Sequence, residues 1–69
     1  MQDVFKVHDV ARIRTGRYAG LLGTVTDTKT EDGKQTGVRV QVEGVRDDKT
    51  VTAHVWLKRS QVERNSNGN

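Results

Sequence analysis

A chain of 69 residues holds one small domain, and folding at this size hides only about 60% of the unfolded chain's surface, which argues against a deep internal active site. It has no cysteine, which excludes disulfides, thiolate metal sites and thiol nucleophiles. The formal net charge is +3, and Arg12, Arg14 and Arg17 fall in an acid-free stretch, so the excess positive charge is local and favours a polyanionic partner.

Valine and threonine dominate the sequence, and no window has apolar residues at helical spacing, so the chain predicts strands. The first strand is expected over residues 10–14, with Ala11 and Ile13 facing inward. The segment GRYAGLLGTV follows, and its glycines let the chain leave one strand and re-enter the sheet at a sharp angle. The second strand is expected over residues 24–30, with Val25 facing inward.

A hairpin turn is predicted at residues 31–34, because Asp-Gly between two alternating runs tolerates the positive φ that such a turn needs. The third strand is the clearest, since Val38, Val40 and Val42 alternate with polar residues. Gly44 then predicts a bulge or a sharp bend in this strand.

A second turn is predicted at residues 46–49, and the fourth strand at residues 50–57. In the fourth strand Val51, Ala53, Val55 and Leu57 are expected to face inward, and Thr52, His54 and Trp56 outward. A single helical turn at residues 58–61 and a short last strand at Val62 and Glu63 complete the pattern.

Short strands separated by turns predict an all-β fold, and a small five-stranded barrel is favoured because closure removes exposed edges. We expect residues 1–64 to form this single domain. The apolar-free tail NSNGN, residues 65–69, is expected to be disordered.

The stretch HDVARIRTGRYAGLLGTV resembles the KOW motif of large-subunit ribosomal proteins and NusG-type transcription elongation factors. The resemblance is carried by an acidic residue, two alternating apolar positions, a glycine, an aromatic, a second glycine, and a final glycine, small residue and valine. These positions are held by Asp9, Ala11, Ile13, Gly16, Tyr18, Gly20, Gly23, Thr24 and Val25. Arg17 departs from the motif, which often has proline there.

The resemblance implies an SH3-like barrel that acts in a transcription or translation assembly, and barrels of this kind bind RNA in some members and proteins in others. We expect the protein to bind nucleic acid, with RNA favoured over DNA, through a basic loop and one end of the barrel. Arginine and lysine side chains would pair with phosphates, and an aromatic ring would stack on an unpaired base. The predicted nucleic-acid-binding residues are Arg12, Arg14, Arg17, Tyr18, Trp56, Lys58 and Arg59.

Each of these residues also has a purely structural interpretation. Tyr18 can pack over the barrel end, and the arginines can be ordinary solvated side chains. Trp56 points outward by alternation, yet a register slip of one residue would let it pack beneath the N-terminal segment over residues 4–7. Lys58 and Arg59 can extend the basic patch of the first strand or form a solvated face.

A protein-interaction barrel that docks on RNA polymerase, a ribosome or a redox complex is the alternative, and an exposed Trp56 and an edge of strand three suit that role. The sequence does not predict an enzyme, because it has no catalytic constellation, no phosphate loop and no helix after its glycines. No cofactor, metal, small-molecule substrate or membrane partner is expected. The N-terminus has no long apolar run, so we expect a cytoplasmic protein.

Overall fold

The computed structural model describes residues 4–64, so the predicted disordered tail lies outside the described residues. The prediction of an all-β fold with five strands is confirmed, and the strands form one antiparallel sheet in the order β4-β3-β2-β1-β5. The elements in chain order are β1 (Val10–Ile13), β2 (Leu22–Glu31), β3 (Lys34–Arg46), β4 (Lys49–Lys58), a 3₁₀ turn (Arg59–Gln61) and β5 (Val62–Arg64).

The sheet is curled, because its two edge strands are joined by the 3₁₀ turn alone. In a flat sheet, four strand spacings would separate β4 from β5 by about 19 Å. A 3₁₀ turn rises only about 2 Å per residue, so three residues cannot span that distance. The curled five-stranded sheet is consistent with the predicted SH3-like barrel.

The core lies inside this curl and is built from the predicted alternation. It consists of Phe5, Ala11, Ile13, Val25, Val38, Val40, Val42 and Val62, all of which are buried. On β4 the inward residues are only half-buried and the outward ones are exposed, so the predicted facing of this strand is confirmed.

The predicted bend at Gly44 is wrong. Strand β3 continues through Gly44, which pairs with Val51 in a register that is unbroken along the whole of β4. The missing side chain instead makes room for Leu21, because a β-carbon at Gly44 would lie 2.9 Å from Leu21 Cδ2. The irregularities of the sheet lie between β2 and β3, where the extra residues are Thr26 and Thr36.

Both predicted hairpin turns are present. Asp32 and Gly33 have φ of 51° and 77°, and Asp47 and Asp48 have φ of 54° and 61°. Two consecutive residues with positive φ are typical of the two-residue turns that match the twist of antiparallel strands.

The N-terminal segment is fixed to the barrel through Phe5. The side-chain amide of Gln35 accepts from Phe5 N–H at 2.9 Å and donates to Phe5 C=O at 2.8 Å, as a neighbouring strand would. The guanidinium carbons of Arg59 and Arg64 lie 4.5 and 5.2 Å from the centre of the Phe5 ring. Phe5 is therefore core, and Trp56, which is 52% exposed, does not pack beneath it.

Candidate nucleic-acid interface

The predicted binding residues do not form one patch. Trp56 and Lys58 line a groove formed by β2, β3, β4 and the 3₁₀ turn, which we call the Trp56 groove. Arg17 and Tyr18 lie in the loop between β1 and β2, close to the β3–β4 turn. The remaining arginines are Arg12 and Arg14 at β1 and Arg59 in the 3₁₀ turn.

The Trp56 groove has a volume of about 730 Å³. Its lining residues are Lys29, Glu31, Thr36, Gly37, Trp56, Leu57, Lys58 and Gln61. One row of the sheet crosses it, in which Gly37 on β3 pairs with Lys29 on β2 and with Lys58 on β4. Two lysines therefore flank a position that has no side chain.

Gly37 forms the floor of the groove beside the indole. A β-carbon built there would lie 4.0 Å from Trp56 Cε3 and 3.8 Å from Lys29 Cβ. The indole thus lies close to the backbone of β3 at its Cε3 atom, while more than half of the Trp56 surface stays accessible. An exposed aromatic ring of this kind is accessible to a flat ligand.

The next two rows of the outer face add polar groups. Trp56 pairs with Arg39, and His54 pairs with Gln41. Thr26 Oγ1 donates to the Arg39 carbonyl at 3.2 Å and lies 2.8 Å from His54 Nε2. The contact between the Thr26 hydroxyl and His54 Nε2 helps to orient the imidazole ring on this face.

Lys29 is the groove lysine that the sequence analysis did not predict as a binding residue. If β2 alternated strictly from the inward Val25, Lys29 would also face inward. The extra residue at Thr26 reverses this alternation and turns Lys29 to the face of Gly37. Nothing in the composition of TVTDTKT signals this bulge, so alternation alone could not find the residue.

The loop between β1 and β2 is held by an arginine that was also not predicted. Arg46 donates from Nη1 to the Arg17 carbonyl at 2.6 Å and from Nη2 to the Ala19 carbonyl. Arg17 is exposed, with its guanidinium 5.9 Å from the centre of the Tyr18 ring. Tyr18 is half-buried. One part of its side chain packs against the core, as its structural interpretation predicts, and the rest remains accessible to a ligand.

The arginines near β5 are close to acidic or structural partners. Arg14 Nε lies 3.5 Å from Glu63 Oε1, and Arg12 pairs with Glu63 across β1 and β5. The first and last strands are neighbours as expected, but Glu63 lies between the two basic groups. Arg59 packs on Phe5 and donates to the Val62 carbonyl at 3.1 Å, so it stabilises the fold.

Comparisons with family models, with curated proteins and with solved structures find no match for this chain. Within residues 4–64 there is no helix that is long and apolar enough to cross a membrane.

Proposed function

We propose that this protein binds single-stranded RNA through the Trp56 groove, with the indole stacking on a base and Lys29 and Lys58 pairing with phosphates. The observation that supports this most directly is the exposed Trp56 ring beside Gly37, in a groove that two lysines also line. Aromatic rings flanked by cations are the chemistry by which proteins bind unpaired nucleotides.

A single strand is favoured because its bases are free to leave their neighbours and stack on a side chain, whereas bases in a duplex are not. Lys29 and Lys58 lie on strands two spacings apart, about 10 Å between backbones, and their flexible stems can reach phosphates on either side of one stacked base. Arg39, the cross-strand neighbour of Trp56, adds a third cation. Glu31 at the rim limits the positive potential.

RNA rather than DNA, and a role in a transcription or translation assembly, are proposed from the KOW resemblance. Hydroxyl and amide groups of Thr36 and Gln61 line the groove and suit a ribose 2′-hydroxyl. Arg17 and Tyr18 offer a second contact for a longer strand at the β1–β2 loop.

The test compares Trp56→Ala with Arg17→Ala and with Val45→Ala as control, since Val45 is the most exposed large apolar residue of the described chain. Binding of a labelled single-stranded RNA is measured by fluorescence anisotropy. Stacking contributes about 1–3 kcal/mol per base, so Trp56→Ala should weaken binding about 5- to 150-fold. Trp56→Phe should retain most of the affinity, and Val45→Ala all of it.

The salt dependence of the same titration tests the phosphate contacts. Three cations on a single strand predict a slope of log K against log salt of about −2, and Lys29→Ala or Lys58→Ala should each reduce it by about 0.7. Salt-independent binding would contradict phosphate pairing. If Arg17→Ala weakens RNA binding and Trp56→Ala does not, the binding site is at the β1–β2 loop. Equal affinity for DNA of the same sequence would contradict the preference for RNA.

A further inference from the structure

Strand β4 is a long edge strand without the features that usually protect one. It pairs with β3 over ten residues without a bulge, and no other described strand pairs with its outer edge. The eight residues between Lys49 and Lys58 carry no proline, acid, lysine or arginine. Natural proteins normally protect edges with prolines, bulges, central charges or short strands, so the unprotected edge is a site for strand addition.

The backbone groups available on this edge follow from the register. The two-residue turn makes Arg46 and Lys49 a hydrogen-bonded pair, and hydrogen-bonded and non-hydrogen-bonded pairs then alternate. The N–H and C=O groups of Thr50, Thr52, His54 and Trp56 therefore face away from β3. The same alternation directs Lys58 N–H outward, and this group does bond outside the sheet, to Gln61 Oε1 at 3.0 Å.

The inner face of β4 is also incomplete. Val51, Ala53, Val55 and Leu57 are each half-buried, whereas the inward valines of β3 are fully buried. A strand added beside β4 would place alternate side chains next to this row and cover it. The added strand is thus expected to have apolar residues at every second position.

The charge of β4 and the residues after it indicates which kind of segment would bind beside this strand. From Lys49 to Val62 the chain has three basic residues and no acidic one. A second copy would bring the same positive segment against itself, whereas an extended segment with acidic flanks would meet Lys49 and Lys58 with opposite charge, most strongly at the Lys58 end, because Asp47 and Asp48 precede Lys49. We propose that the edge of β4 binds an extended segment of a partner protein, with alternating apolar residues and acidic flanks, as a sixth strand.

This proposal does not rest on RNA binding, because it uses the outward backbone groups of β4 and Lys49, and it shares only Lys58 and the Trp56 backbone with the Trp56 groove. The probe is a blocked nonapeptide of alternating valine and threonine flanked by pairs of glutamates, added to about 1 mM and followed by amide shifts and hydrogen exchange. We expect saturable shifts and at least tenfold slower exchange for the amides of Thr50, Thr52, His54 and Trp56. A lysine-flanked peptide should bind at least tenfold more weakly.

Thr52→Pro removes one outward N–H without removing a bond to β3, so it should weaken peptide binding at least tenfold, with Thr52→Ala as control. If the Thr52→Pro variant does not fold, an N-methylated peptide is used with the unchanged protein instead. Methyl groups on the amides that would pair with β4 should block binding, and methyl groups on the opposite edge of the peptide are the control. Equal binding of the two peptides, or no effect of blocking the edge, would overturn the proposal. So would a dimer in sedimentation whose interface protects the same four amides, since a second copy would then be the occupant.

Discussion

Two glycines of the segment GRYAGLLGTV are needed for different reasons. Gly20 has a φ of 89°, and a β-carbon there would meet nothing within 4 Å. Gly23 has no such φ, but a β-carbon there would clash with Val40 Cγ1 and lie 3.0 Å from the Gln41 carbonyl oxygen. The first glycine provides backbone conformation and the second provides space between β2 and β3.

This difference predicts the relative cost of two substitutions. Gly23→Ala should destabilise the protein by about 3 kcal/mol, because fully buried Val40 and the β3 backbone have little room to move. Gly20→Ala should cost only about 1 kcal/mol, which is the penalty for a positive φ. Urea unfolding of both variants measures the two costs, and a larger loss at Gly20 would show that space at Gly23 is not limiting.

At the scale of elements, the β3–β4 hairpin is closed by Asp47 and Asp48, both with positive φ. Aspartate tolerates this conformation better than most residues, but glycine adopts it without a β-carbon penalty. Two adjacent carboxylates at the tip add mutual repulsion. The hairpin therefore forms with a turn sequence that is not the most stable one available.

Asp48→Gly should stabilise the protein by about 1 kcal/mol, because it removes the positive-φ penalty in the turn. The midpoint of urea unfolding measures the gain. Asp48→Ala is the control for charge: it removes the same carboxylate but keeps a β-carbon, so it should not stabilise to the same extent. Equal gains from both variants would assign the effect to charge repulsion instead.

At the scale of the whole molecule, Phe5 joins the two ends of the described chain. Phe5 is 2% exposed, and its ring lies against the guanidinium groups of Arg59 and Arg64. Arg64 also donates to the Val4 carbonyl at 2.7 Å. Gln35 of β3 fixes its backbone. One side chain thus connects the N-terminal segment, β3 and the elements at the C-terminal end.

Phe5→Ala should leave the protein largely unfolded at 25 °C. Removing a buried phenylalanine costs about 3–5 kcal/mol, and a core of this size supplies about the same total. Circular dichroism and amide spectra report the loss, and Phe5→Leu, which keeps most of the volume, should remain folded. A cooperative thermal transition for Phe5→Ala close to that of the unchanged protein would show that the N-terminal segment is not part of the core.

The sequence by itself determined the five strands, both turns and the facing of β4. These features depend on local information, since turn residues mark where a strand ends and alternation then assigns each face. The outward side chain of Trp56 follows from the alternation of residues 50–57 alone, whereas Lys58, which was predicted in the helical turn, is the last residue of β4.

Only the tertiary structure decided that Lys29 joins Trp56, that Arg59 packs on Phe5, and that Glu63 lies against Arg14. The first depends on compensating bulges that alternation does not reveal. The others join residues about fifty positions apart, and such contacts are set by how the sheet curls and not by any neighbouring residue. The predicted basic residues therefore lie in separate places on the barrel, and the candidate site is the Trp56 groove.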